Sequence, residues 1–122
     1  MKFQVERPQG HHAITSYGPG YVTVNGQTYH ASLVVGHDRP EAACTITSND
    51  MLAPEHLTSF AQNCDVLLLG TGHRQRFPDR RLLKPLLEQH IGVEVMDTAA
   101  ACRTYNLLLA EGRALVAALI VV

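Results

Sequence analysis

The chain has 122 residues, a length that suits one domain, residues 1–122, able to bury about two-thirds of its unfolded surface without a disulfide or metal staple. Charged residues make up 17% and the net charge is −1 with the histidines neutral, which argues against nucleic acid as a partner. Cys44, Cys64 and Cys102 are odd in number, widely spaced and without a Cys-x-x-Cys pair, so they read as reduced thiols of a reducing compartment.

The segment Met1–Pro8 has no long apolar run of the kind a secretory signal needs. The longest apolar stretch, Ala114 to Val122, is nine residues, far below the ~20 of a membrane-spanning helix. A cytoplasmic protein with no membrane span is the expectation.

In chain order, the first third reads as β structure. Ala13–Thr15 leads into the turn cluster Tyr17-Gly-Pro-Gly20. Tyr21–Val24 and Gln27–His30 flank Asn25-Gly26. Asn-Gly between such runs is a hairpin signal, because a type I′ turn needs positive φ at both central residues. The second arm is expected to continue through Ala31–Val35, with Gly36–Pro40 ending it. Cys44–Thr47 reads as a short strand. Pro54 suits the first turn of a helix running to about Asn63, with Leu57, Phe60 and Ala61 on its apolar face.

The second half alternates. Val66–Leu69 is wholly apolar, as in a strand buried on both faces. Asp79 is placed to cap a helix reaching about His90, with Leu82, Leu83, Leu86 and Leu87 in helical register, and Ile91-Gly92 to stop it. Val93–Met96 reads as a strand, Thr98–Ala110 as a helix closed by Glu111-Gly112, and Leu115–Val121 as the last strand. This order implies parallel pairing through right-handed crossovers. The fold class expected is α/β, with a mixed sheet, an N-terminal β-hairpin region, a C-terminal parallel βαβαβ half, and helices packed on the sheet.

Two strand ends are of chemical interest. Val66–Leu69 breaks into Gly70-Thr71-Gly72, followed by His73, Arg74, Arg76 and Phe77. Val93–Met96 breaks into Asp97-Thr98. If the strands are parallel, both breaks lie on one sheet edge, where open α/β sheets bind ligands. Glycines let backbone amides approach an anion, and Thr71, His73, Arg74 and Arg76 could add donors. A tight turn built of small residues explains the glycines more simply. The third glycine of a dinucleotide fingerprint and the lysine of a P-loop are both missing, and Phe77-Pro78 delays the next helix. Asp97 and Thr98 are explained by helix capping, or by Asp97 reaching across the edge toward Thr71 or Arg74.

Cys102 and Arg103 lie one turn into the same helix. A thiol near a helix start and a guanidinium can be activated, but Cys102 shares a stripe with Ala99, Asn106 and Leu109 and reads as core. His73 is the only base available to it. Arg74, Arg76, Arg80, Arg81 and Lys84 hold five of the ten basic residues. They read as a solvated face or as the footprint of an acidic partner or phosphate ligand, and Phe77 alone is too little aromatic surface for stacked bases. The histidines, His11, His12, His30, His37, His56, His73 and His90, show no metal-binding spacing. Neither a metal nor a cofactor is expected. Tyr105 and Asn106 are expected to be partly buried, with Asn106 needing a hydrogen-bond partner.

Leu67-Leu-Leu-Gly-Thr-Gly-His-Arg-Gln-Arg-Phe77 and Gly92-Val-Glu-Val-Met-Asp-Thr-Ala-Ala-Ala-Cys-Arg-Thr-Tyr-Asn-Leu-Leu-Leu-Ala-Glu-Gly-Arg113 together resemble a small bacterial and archaeal family of unknown function. Its eukaryotic relatives include a mitochondrial assembly factor for respiratory complex I. The resemblance runs from about Tyr17 to Val122. It implies a compact α/β domain with a mixed sheet partly folded on itself and action through protein partners, and it brings no established catalytic residues to carry over. The leading expectation is therefore a non-enzymatic binding or assembly protein using Gly70–Phe77 and Asp97–Arg103. The alternative is an enzyme or sensor that takes a small anionic ligand at the same edge.

Overall fold

The computed structural model describes residues 12–122. Met1–Pro8 and His11, weighed above for a signal segment and for metal binding, lie outside the described residues. The described residues form eight strands in two sheets and three α-helices.

The first three strands, β1 (Ile14–Gly18), β2 (Tyr21–Val24) and β3 (Gln27–Tyr29), make an antiparallel sheet in that order. Asn25 and Gly26 both take positive φ, 50° and 86°, so the Asn-Gly turn forms as expected and aligns Val24 with Gln27. The remaining strands are β4 (Leu33–Gly36), β5 (Arg39–Ala43), β6 (Val66–Gly70), β7 (Gly92–Met96) and β8 (Leu115–Leu119). They form a mixed sheet in the order β5-β4-β8-β6-β7. β6 pairs parallel with β7 and β8, while β4 pairs antiparallel with β8 and β5. The helices are α1 (Pro54–Phe60), α2 (Arg80–Glu88) and α3 (Thr98–Ala110).

Alternation along the strands builds two cores on the two faces of the mixed sheet. Val66 and Leu68 of β6 and Leu115, Ala117 and Leu119 of β8 pack with Cys102, Tyr105 and Leu109 of α3 and with Ile14, Val22 and Val24 of the small sheet. Leu67, Leu69, Val116 and Ala118 pack the other way, against Leu57 and Phe60 of α1 and Leu86 of α2. This is why β6 reads as unbroken leucine: both faces of the strand are covered. Leu67, Leu68 and Leu69 are wholly buried, and each such side chain contributes about 2 kcal/mol by its removal from water.

Four sequence expectations change. The second hairpin arm does not continue through Ala31–Val35. β3 stops at Tyr29, and β4 belongs to the other sheet. The chain changes sheets at Ser32, whose buried hydroxyl accepts the Val121 amide at 2.9 Å and whose carbonyl accepts the Cys44 amide at 2.7 Å. Pro40 does not end a strand either; it sits inside β5, on the sheet edge, where a missing N–H costs nothing. Cys44–Thr47 is therefore not a strand but the exit from one. It leads to a 3₁₀ turn, Asn49–Met51, capped by the Ser48 hydroxyl. The helix expected to reach Asn63 stops at Phe60, and Asn63 takes a positive φ of 56°.

At the other end of α3 the expected partner of Asn106 appears. The Asn106 side-chain amide bonds both backbone groups of Ile14: Oδ1 accepts the Ile14 N–H at 3.0 Å and Nδ2 donates to the Ile14 carbonyl at 2.7 Å. The Tyr105 hydroxyl donates to the His12 carbonyl at 2.6 Å. One turn of α3 thus holds the small sheet against the large one.

Candidate functional site

The parallel register aligns Gly70 with Met96 and with Leu119. The ends of β6, β7 and β8 therefore finish on one line, and the segments beyond them meet. Thr98 is the junction. Its Oγ1 accepts the Gly72 N–H at 2.8 Å and donates to the Ile120 carbonyl at 2.7 Å. Its N–H donates to the Gly72 carbonyl at 2.9 Å. The Thr71 N–H reaches the Met96 carbonyl at 2.9 Å, and the Ile120 N–H reaches the Gly70 carbonyl at 2.9 Å.

Both glycines are demanded by this arrangement. A Cβ on Gly70 would lie 3.1 Å from the Thr98 Cα and 3.1 Å from its Oγ1, so any larger residue would push the start of α3 away from β6 by a few tenths of an ångström. Gly72 has φ +93°, which turns its N–H and C=O together onto Thr98. The Thr71 hydroxyl closes the loop beyond. It accepts the Arg76 N–H at 3.0 Å and lies within bonding reach of the Arg74 and Met96 carbonyls, serving one at a time with its single proton. Gln75 Nε2 donates to the Val95 carbonyl at 3.0 Å on the outer edge of β7.

Asp97 turns onto its own helix rather than across the edge to Thr71 or Arg74. Its carboxylate accepts the Ala100 N–H at 2.8 Å, the N-cap bond that meets an otherwise unpaired helix donor. The amides of Thr71, Gly72, Thr98 and Ala100 are thus all bonded within the chain. An anion would have to displace a bond to reach any of these four donors.

Above the junction lies a cleft of about 210 Å³. It is lined by Gly72, His73, Asp97, Thr98 and Ala99, by the turn Tyr17–Tyr21 of the small sheet, and by Ile120–Val122. Arg103 joins the rim, donating from a guanidinium nitrogen to the Tyr17 hydroxyl at 3.3 Å. The tyrosine turn was legible only as a turn. What marks it in the sequence is a tyrosine on each side of Gly18-Pro-Gly20.

The remaining residues singled out in the sequence lie elsewhere. Arg76 and Phe77 line a separate groove with Asn49, Asp50, Pro78, Asp79 and Arg81. Arg74 is exposed and lines neither. Cys102 is fully buried in the core beneath α3, and burial pushes its thiol up to about 12. A thiol so disfavoured as an anion is a poor nucleophile.

Cys102 gives the fold a measurable alkaline sensitivity. The unfolded thiol ionises around pH 9, its unperturbed value, while the folded one holds its proton to about 12. Between these values the native state binds the extra proton, so stability is intact below pH 9 and falls as pH rises toward 12. Urea unfolding should show wild type losing on the order of 1 kcal/mol more than Cys102→Ala between pH 9 and 10. Parallel curves would mean the thiol is not held neutral by burial.

Two packed sheets, a junction of strand ends and a cleft beside a tyrosine turn define a compact α/β domain. The chain belongs to the family described as "Protein of unknown function (DUF498/DUF598)", whose profile matches residues 14–120. It is 36% identical over 107 residues to an uncharacterised protein of Rhodobacter capsulatus, covering 88% of this chain and 82% of that one. It is also 36% identical over 112 residues to NADH dehydrogenase [ubiquinone] 1 alpha subcomplex assembly factor 3 of Danio rerio. That match covers 88% of this chain and 63% of the relative, so this chain answers to less than two-thirds of the fish protein. A crystal structure of a Bordetella parapertussis protein superimposes with a TM-score of 0.85 at 36% identity, covering 92% of this chain and 98% of that one. Among the described residues no helix is long and apolar enough to cross a membrane.

Proposed function

We propose that the chain is a non-enzymatic binding or assembly factor of the cytoplasm that holds a protein partner, of the respiratory-complex assembly kind, across the cleft between Tyr17–Tyr21 and Gly72–Ala99. The observation that carries this reading is the commitment of the strand-end amides. Thr71, Gly72, Thr98 and Ala100 spend their N–H groups on the fold itself, which takes these four donors away from an anion and favours a shaped surface. Kinship with an assembly factor points the same way. Tyrosines suit such a surface, since each offers a large apolar face and a polar tip at small entropic cost.

Capture from the source cell tests it. Wild type is expected to recover subunits or assembly intermediates of a respiratory complex, and Ala99→Tyr, which fills the cleft from an exposed position, is expected to lose them. Equal recovery by both forms, or recovery of none, would count against the cleft.

A small anionic ligand at the same edge predicts something else. Bound at a hundredfold excess over its Kd, such a ligand stabilises the native state by about 2.7 kcal/mol. A thermal-shift series with inorganic phosphate, pyrophosphate, nucleotides and phosphorylated sugars is expected to leave the melting temperature unchanged. A reproducible upward shift with any of them would replace the protein-binding reading with the ligand one.

A further inference from the structure

We infer that the outer face of α2 is a second docking surface, and that its occupant is an acidic, apolar-studded segment of a partner protein. This face shares no lining residue with the cleft, so the inference stands or falls independently of the proposed cleft function.

The argument begins with spacing. Arg80, Leu83, Lys84 and Leu87 fall at i, i+3, i+4 and i+7, one stripe of a helix. The opposite side of α2 carries Leu86, which is buried in the core. Most of the stripe faces out: Arg80 and Lys84 are exposed and Leu87 is 57% exposed, while Leu83 is half-buried against the core. These four residues and Arg81 line a shallow groove along the helix. Arg81 also lines the groove at the start of α2, whose far side is Arg76 and Phe77. Phe77 is 72% exposed, the most exposed large apolar side chain among the described residues. Two grooves meeting at one arginine thus make a continuous surface with cations and apolar side chains interleaved.

Charge decides the occupant. The whole chain is −1, yet five of its ten basic residues are Arg74, Arg76, Arg80, Arg81 and Lys84. Their nearby acids are few. Asp79 is taken up by Arg81 at 2.9 Å, Asp50 lies 3.6 Å from Arg76, and Glu88 lies 3.9 Å from Lys84. Arg74 and Arg80 have no ion pair among the described residues. A bare phosphate would satisfy the cations and leave Phe77 and Leu87 in water. An acidic segment with leucine or phenylalanine at helical spacing satisfies both, the mode in which amphipathic helices dock. The segment's carboxylates meet Arg80 and Lys84, and its apolar side chains cover Phe77 and Leu87.

The probe is a fluorescein-labelled 16-residue peptide of repeating Glu-Leu-Glu-Glu-Leu-Phe composition, followed by anisotropy against the full chain. Wild type is expected to bind it, with affinity falling as salt is raised. The double reversal R80E/K84E is expected to weaken binding at least tenfold, and Phe77→Ser to weaken it severalfold, with circular dichroism confirming that both variants are folded. Ala99→Tyr should bind the peptide as wild type does, which separates this surface from the cleft. Equal binding by wild type and R80E/K84E would overturn the inference. So would binding of phosphatidylglycerol vesicles or polyuridylate in place of the peptide, since the surface would then serve a membrane or a nucleic acid.

Discussion

Thr98→Val is expected to lower the free energy of unfolding by about 2–4 kcal/mol, the cost of leaving partly buried polar groups without partners. Valine has nearly the shape of threonine, so the packing beside Gly70 survives. What disappears is one oxygen that serves two strand ends, the Gly72 N–H at 2.8 Å and the Ile120 carbonyl at 2.7 Å. Thr98→Ser keeps that oxygen and is expected to remain within about 1 kcal/mol of wild type, the range for removing one methyl group. Equilibrium urea unfolding of the three proteins reads the difference as a shift in midpoint at constant slope. A valine variant as stable as the serine one would show that the hydroxyl is incidental.

Asn106→Leu is expected to cost a similar 2–4 kcal/mol, at the opposite end of the same helix. Its side-chain amide occupies the place a neighbouring strand would hold beside Ile14, bonding the N–H and the C=O of one residue. Leucine fills the volume and leaves both groups of Ile14 without partners. Thr98 and Asn106 are eight residues apart on α3, about 12 Å along the axis. At that separation and with no shared partner their effects should add within about 0.5 kcal/mol. The double variant would then lose much of the 5–15 kcal/mol that such a domain has in total. A double-mutant cycle in urea measures this. Strong non-additivity would mean that α3 comes loose as a unit once either end is released.

The parts of the fold legible in the sequence are those where one physical cause dominates. β6 could be read from its leucines because both of its faces are buried. α3 could be bounded to the residue because Asp97 caps its start and Gly112, with φ +77°, follows its end. The Asn25-Gly26 hairpin followed from the stereochemistry of its turn. The region from His30 to Ser48 was harder, because tertiary partners decide it. Nothing local tells Ser32 that its hydroxyl will meet Val121, 89 residues away. Nor does the sequence around Pro40 reveal that β5 lies at a sheet edge where proline is tolerated.

The candidate site shows the same division. The parallel register that brings Gly70 and Met96 level was deducible from strand order. That Gly72 and Thr98 would satisfy each other was not, because a glycine-rich turn has the same composition whether its amides face a ligand or its own helix. Arg74, Arg76 and Phe77 looked continuous with the glycines by sequence adjacency. The loop folded around the Thr71 hydroxyl turns Arg76 and Phe77 toward α2 instead.

Amide hydrogen exchange at Gly72 tests the central claim most directly, that Gly70-Thr-Gly72 and Asp97-Thr98 form an internal lock. The Gly72 N–H is expected to exchange slowly in the wild-type protein, unaffected by phosphate or nucleotide, and to exchange orders of magnitude faster in Thr98→Val. Rapid exchange in the wild type that phosphate or a nucleotide slows would contradict the lock and restore the loop as an anion site.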